Sequence, residues 1–279
     1  DPGPGAGDFM CGLLSYDGHK GTDIALPTAA DMYAGVSVRA VAPGTVRRVR
    51  DGMPDTPGED PGDLDGRDCG NGVVVNHGGG WLSQYCHLKQ GSVAVSEGQR
   101  VTARTVLGEI GHSGRTEFPH LHLSLRHDGD IVDPFHPEDP VLCGTAPARD
   151  LWDEEIPYVP GGLIDVGLSP TTLDYAAVKA GTAAVETLAP DAPVILLWAH
   201  MFGVRAGDLV TLELTAPGGE VIAARSVTLE RAQARRVEAV GKGRGSWPWA
   251  PGAYVGEAVF SRDGEELGRG TARLTVPAD

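Results

Sequence analysis

Five residues on three separated stretches could together hold a metal ion and move protons. In FPHLHLSLR (118–126), His120 and His122 alternate with large apolar residues. On a strand, positions two apart project to one face, so both imidazoles point together with Leu121 and Leu123 behind them. Taken alone, a half-buried edge strand with two surface imidazoles explains that pattern. DGHKGTDIAL (17–26) adds His19 and Asp23 on a glycine-flanked turn that runs into an apolar strand, a turn short enough to fold both side chains onto one point. QYCHL (84–88) adds His87. Four imidazoles and one carboxylate in one β-rich region fit zinc: two neutral imidazoles and a carboxylate make a three-ligand site whose fourth position stays open. Such a site lowers the pKa of water towards ~7 and polarises a carbonyl. The two remaining histidines can orient the water, shuttle its proton and stabilise an oxyanion.

The elements that must position these groups are strands. CGNGVVVNHGGGWLSQYCHL (69–88) reads as strand, turn, strand, with Asn76 to Gly79 as the turn. That register sets Val75 opposite Gly80, Val73 opposite Leu82 and Cys69 opposite Cys86, within reach of a cross-strand disulfide. Cys11–Cys143 then follows by elimination. The four cysteines contain no C-x-x-C pair, which argues for disulfides in an oxidising compartment rather than a thiolate metal site. With Cys86 engaged on one face, His87 is expected on the other.

Forty glycines and 21 prolines in 279 residues call for many turns and an all-β chain. The net charge of −15 excludes nucleic acid as a partner, and no apolar run is long enough to span a bilayer. The opening DPGPGAGD, with neither initiator Met nor apolar leader, suits a mature secreted or periplasmic chain whose signal peptide has been removed. We expect a monomer with a first domain over residues 1–143, a linker over 144–190 and an immunoglobulin-like β-sandwich over 191–279. LDYAAVKAGTAA (173–184) is expected to hold one short helix. A long loop over residues 50–68, rich in Pro, Gly and acid, interrupts the first domain. SVAVSEGQRVTARTVLGEIG is similar to the β-modules of biotinyl and lipoyl carriers, but Lys89 is not at the required hairpin tip, so carrier function is excluded. His200 is expected as a packing residue, and Trp247 and Trp249 as plugs at the edge of the second domain.

GHKGTD, YCHL and GHSGRTEFPHLHLSLR together resemble the three signature segments of the lysostaphin/LytM-type zinc metallopeptidases, which cut peptide cross-links of peptidoglycan. VAPGTV, GNGVVVNHGGGWLSQY and VSEGQRVTARTVLGEIG resemble that family's strand framework. The resemblance spans roughly residues 11–143 and implies a LytM-type antiparallel β catalytic domain acting on peptidoglycan stem peptides. It implies Zn2+ ligation by His19, Asp23 and His122, with His87 and His120 as the catalytic histidines. Phe118 stands where the family often has Gly, which is expected to narrow one side of the groove. Degenerate members of the family have lost metal residues and activate cell-wall amidases without cutting. All five positions are intact here, which weighs against that alternative; a wall-binding role suits the second domain better. His77 is assigned to the hairpin turn, His112 to a supporting position, and His127 and His136 to the surface. Because loops placed like 50–68 wall the family's groove, its six aspartates and Glu59 lead us to expect a negative wall favouring stem peptides with exposed amines.

Overall fold

The computed structural model describes residues 7–56, 62–137 and 149–278. They fall into two compact units, Asp1–Tyr158 and Val159–Asp279. In the first unit the elements run β1 (Thr22–Ala25), α1 (Ala29–Ala34), β2 (Ser37–Arg39), β3 (Gly44–Arg50), β4 (Asn71–Gly78), β5 (Trp81–Leu88), β6 (Arg100–Val101), β7 (Val106–Glu109), β8 (His120–His127) and β9 (Asp130–Val132). Seven of these strands form one antiparallel sheet in the order β1-β8-β5-β4-β3-β6, with β9 added beside β8; β2 and β7 make a separate pair. Strand periodicity decides what each face carries. Leu121, Leu123 and Leu125 of β8 enter a core with Val73, Val75 and Tyr85, while His120, His122, Ser124 and Arg126 take the opposite face. The helix α1 escapes strand-and-turn reasoning because it is only six residues long; Thr28 and Asp31 form a reciprocal capping box that starts it.

The β4–β5 hairpin differs from its expected register. Val73 pairs with Tyr85 and Val75 with Ser83, and Gly78 faces Trp81. The turn therefore lies at Gly79 and Gly80, because Gly78, Gly79 and Gly80 all take positive φ, a conformation Asn76 and His77 would resist. His77 is thereby placed in β4 rather than in the turn, bonded to the Pro43 carbonyl and the Ser83 hydroxyl. The Cys69–Cys86 disulfide forms nonetheless, but not through the ladder. Pairing ends at Asn71, and the chain reverses at Gly70 (φ +63°), bringing Cys69 back so that its carbonyl accepts from the His87 N–H at 2.8 Å. The expected Cys11–Cys143 pair lies outside the described residues at Cys143.

In the second unit come β10 (Gly162–Ser169), α2 (Tyr175–Ala180), β11 (Val194–Val204), β12 (Leu209–Thr215), β13 (Val221–Thr228), β14 (Gln233–Gly243), β15 (Gly252–Arg262) and β16 (Glu265–Val276). One antiparallel sheet is ordered β10-β11-β14, the other β13-β12-β15-β16, and a single hydrophobic cluster draws Leu168, Leu197, Leu212, Phe260 and Leu274 from both. The segment expected as a linker is thus corrected from Val159 onward: β10 pairs along β11 from Gly162 to Ser169, and α2 is capped by Asp174 and by left-handed Gly181. Flanking turn residues concealed a strand whose Leu163, Val166 and Leu168 join the core. Trp249 plugs that core and donates its indole N–H to the Ala192 carbonyl, whereas Trp247 is 82% exposed and plugs nothing. His200 is fully buried, its ring edge-on to Tyr175, and neither nitrogen meets a hydrogen-bond partner among the described residues.

Two stability predictions arise. Burial, aided by Arg235 and Lys179, pushes His200 from the ordinary 6.5 down to about 4. The unfolded chain therefore takes up that proton first, and stability present above pH 6.5 drains away between roughly 6.5 and 4. Urea titrations of the second unit at pH 7 and 4.5 should show a lower midpoint in acid, and His200→Leu should flatten the difference. Separately, the Cys69–Cys86 bond closes a loop of sequence separation 17. Its removal by paired alanine substitutions should cost the first unit about 3 kcal/mol in denaturant unfolding.

Candidate metal centre and its cleft

The antiparallel register of β1 against β8 sets Asp23 directly opposite His122, and Ala25 opposite His120. Opposed side chains share a face and lie close enough to touch. The preceding turn, with left-handed Gly18 and the His19 N–H bonded to the Tyr16 carbonyl, swings His19 onto the same point. His19 Nε2 lies 3.2 Å from Asp23 Oδ1 and 3.1 Å from His122 Nδ1, and His122 Nδ1 is 2.8 Å from the same Asp23 oxygen. Two imidazole nitrogens and a carboxylate oxygen thus converge with few protons to share between them. Their spacing is near the ~3.3 Å edge of a tetrahedron with zinc–ligand bonds of about 2.0–2.1 Å. Among the described residues these three are the group of histidine, cysteine and acidic side chains that could hold a metal ion. Gly21 is required here: a Cβ on it would lie 2.6 Å from His122 Nε2 and 2.6 Å from the Leu123 carbonyl oxygen.

His120 and His87 face this cluster from above β8 and β5. His120 Nε2 is 3.5 Å from Asp23 Oδ1, and its Nδ1 donates to the Phe118 carbonyl at 2.9 Å. The rings of His87 and His120 are 4.7 Å apart, and His87 Nδ1 donates to the Ser113 carbonyl at 2.8 Å. Both rings therefore turn Nε2 towards the cluster as an acceptor when neutral. Simple alternation does not place His87. It sits in a bulge of β5 with φ +60°, a conformation rare for a side-chain-bearing residue, so that both Cys86 and His87 border the same cleft. Three contacts hold it there: its N–H to Cys69, its carbonyl from the Gly111 N–H, and its ring to Ser113.

Electrostatics follow from burial. Desolvation pushes His87 down to about 4, with His120 adding to the effect, and it lowers His120 despite the pull of Asp23. Burial would raise Asp23, but hydrogen bonds from His122 and His19 outweigh it and hold the carboxylate well below its usual range. His112 is buried close enough to His120 to act on its charge, and its N–H donates to Asp55 Oδ1 at 2.6 Å. Phe118 lies against His120, ring centroids 4.7 Å apart. His127 stacks on Trp81, away from the cluster.

Beside the cluster opens a cleft of about 260 Å³. Among the described residues, the acidic loop meets it through its far end. Asp51 accepts from the Gly91 and Val93 amides, and Asp55 from the Gln90 and His112 amides, so these charges serve as backbone acceptors. Among the described residues Asp68 is the loop acid that lines the cleft, and Arg115 pairs with it at 2.6 Å. Glu59 and Asp60 lie outside the described residues. The lining that sequence reasoning missed is basic: Lys20, Arg115 and Arg126. The period-two row running from His120 through Ser124 to Arg126 was the signal that could have found it.

Residues 17–134 match the sequence model of peptidase family M23. The match covers 118 of the chain's 279 residues. The M23 region is 27% identical over 133 residues to peptidoglycan DD-endopeptidase ShyA of Vibrio cholerae, covering 48% of this chain and 26% of that one. It is 36% identical over 73 residues to cell division protein DipM of Caulobacter vibrioides, covering 26% and 12%. It is also 38% identical over 66 residues to DD-carboxypeptidase/endopeptidase Mpg of Neisseria meningitidis, covering 23% and 14%. The chain thus spans about a quarter or less of the length of these relatives. A zinc-containing peptidase from Vibrio cholerae overlaps 42% of this chain and 30% of that one at 26% identity, with a TM-score of 0.32.

The glycine in the M23 motif yields a test. Gly21→Ala should displace His122 and weaken zinc binding by roughly ten- to a hundredfold. Competition with a chromophoric chelator measures the loss, and an unchanged thermal unfolding profile shows that the fold survives.

Proposed function

We propose that this chain is a zinc-dependent endopeptidase that hydrolyses peptide cross-links of bacterial peptidoglycan. The observation that carries the reading is the convergence of His19, Asp23 and His122 on one point inside an M23 domain, with two more imidazoles facing it. Held by those three side chains, Zn2+ supplies Lewis acidity that polarises the scissile carbonyl and acidifies water. The chain's own residues do the proton work. His87 and His120 each donate Nδ1–H to a main-chain carbonyl, which fixes the ring and leaves Nε2 free to accept a proton from the attacking water. Once protonated, the same nitrogen donates to the oxyanion and then to the departing amine. The relative named peptidoglycan DD-endopeptidase supports the substrate class, the one named DD-carboxypeptidase/endopeptidase supports the reaction, and the Cys69–Cys86 bond supports a periplasmic or secreted setting. A non-enzymatic amidase activator would have no use for all five intact side chains.

Metal analysis with digestion of purified peptidoglycan tests this. The chain should bind about one zinc, and His122→Ala should lose both metal and hydrolysis. His87→Ala and His120→Ala should keep zinc while the rate drops by roughly two to four orders of magnitude. Full hydrolysis by metal-free His122→Ala would overturn the enzyme reading, and zinc loss in His87→Ala or His120→Ala would exchange the assigned roles.

A further inference from the structure

The cleft beside the three-donor cluster contradicts the chain's overall charge. Among the described residues, a protein of net charge −15 lines it with Lys20, Arg115 and Arg126 against Asp68, apart from the metal-site carboxylate. Arg115 is committed to Asp68. Lys20 and Arg126 meet no carboxylate among the described residues; Arg126 makes a long 3.4 Å bond to the Gly129 carbonyl. A second observation points the same way. Ser124, between His122 and Arg126 on β8, is only 4% exposed, lines the cleft, and its hydroxyl has no hydrogen-bond partner among the described residues. A buried hydroxyl without a partner is costly, so it marks a place where a ligand completes the bonding. Opposite it in the register stands Gln84, whose amide N–H groups reach only the two disulfide sulfurs, at 3.4 Å. Unpaired cations, a buried hydroxyl and an underused amide share one preference: an anionic acceptor small enough to enter.

We propose that this cleft is a carboxylate subsite in which Lys20, Arg126 and the Ser124 hydroxyl hold a free carboxylate on the residue that supplies the amine of the cross-link. The inference rests on the endopeptidase reading and deepens it. It selects cross-links whose amine-side residue carries its own free acid over amidated forms and over the interior amides of glycyl bridges, and it reverses the amine preference that the acidic loop suggests.

The test uses the zinc-loaded full chain and two synthetic cross-linked stem-peptide dimers that differ only in that group, free acid or carboxamide. The acid should be cut with a kcat/KM roughly ten- to a hundredfold higher, mainly through KM. In the Lys20→Gln/Arg126→Gln double variant the acid substrate should fall to the level of the amide, and Arg126→Glu should favour the amide. N-acetyl-D-alanine and its amide, titrated into the wild-type chain with NMR detection at Ser124 and Gln84, give a readout independent of turnover, and only the acid should shift those signals. Equal cutting of both dimers, or a preference that survives the double variant, would overturn the subsite while leaving the endopeptidase intact. Selective binding of the acid by a chain that cuts neither dimer nor whole peptidoglycan would overturn the endopeptidase and leave the carboxylate site standing.

Discussion

The pairing of β1 with β8 is the constraint on which the centre depends. Because the two strands run antiparallel with Asp23 opposite His122, one short stretch of ladder joins a carboxylate and an imidazole that lie 99 positions apart in the chain. A slip of one residue would turn Asp23 to the other face and replace it by Thr22 or Ile24. The leucines of β8 guard against that slip, since moving them would put Leu121, Leu123 and Leu125 into the cleft and empty the core. Hydrophobic burial thus fixes a polar geometry that the imidazoles, crowded around one carboxylate oxygen and repelling one another when protonated, would not hold unaided.

A second tier of contacts aims His87. The Gly111–Gly114 turn, the end of the acidic loop and the disulfide meet at this point. Ser113 offers its carbonyl to the His87 ring while its hydroxyl bridges the Leu88 carbonyl and the Asn71 amide. Asn71 in turn clasps Met53 through both ends of its side chain. The glycines at 70 and 114 admit this crowding, since a Cβ on either would collide with backbone. The loop insertion is therefore stitched into the scaffold through its backbone amides and carboxylates, and among the described residues Asp68 is the loop acid that pairs with a cation of the cleft, Arg115.

Much of the centre was legible because strands have a period of two: His120 and His122 share a face, and so do the leucines between them. His19 and Asp23 were legible as a glycine-flanked turn entering a strand. What stayed hidden depended on backbone conformations that the side-chain pattern does not encode. Three consecutive glycines moved the hairpin turn by two residues and invalidated the register from which the disulfide was argued, although the disulfide itself is present. The bulge at His87 broke the alternation that predicted its face. The basic lining was hidden for a different reason: Lys20, Arg115 and Arg126 come from separate segments that only the fold brings to one cleft.

The strict alternation along β8 has an evolutionary consequence. Every odd-numbered position from 121 to 125 is committed to folding, and every even-numbered one from 120 to 126 to the open face. Of the latter, only His120 and His122 belong to the proposed chemistry. Positions 124 and 126 are therefore free to vary without emptying the core or disturbing the donors at 19, 23 and 122. Selectivity in this domain can drift independently of stability and of turnover, through single-codon steps on one strand, which makes β8 an adjustable edge on an otherwise fixed tool.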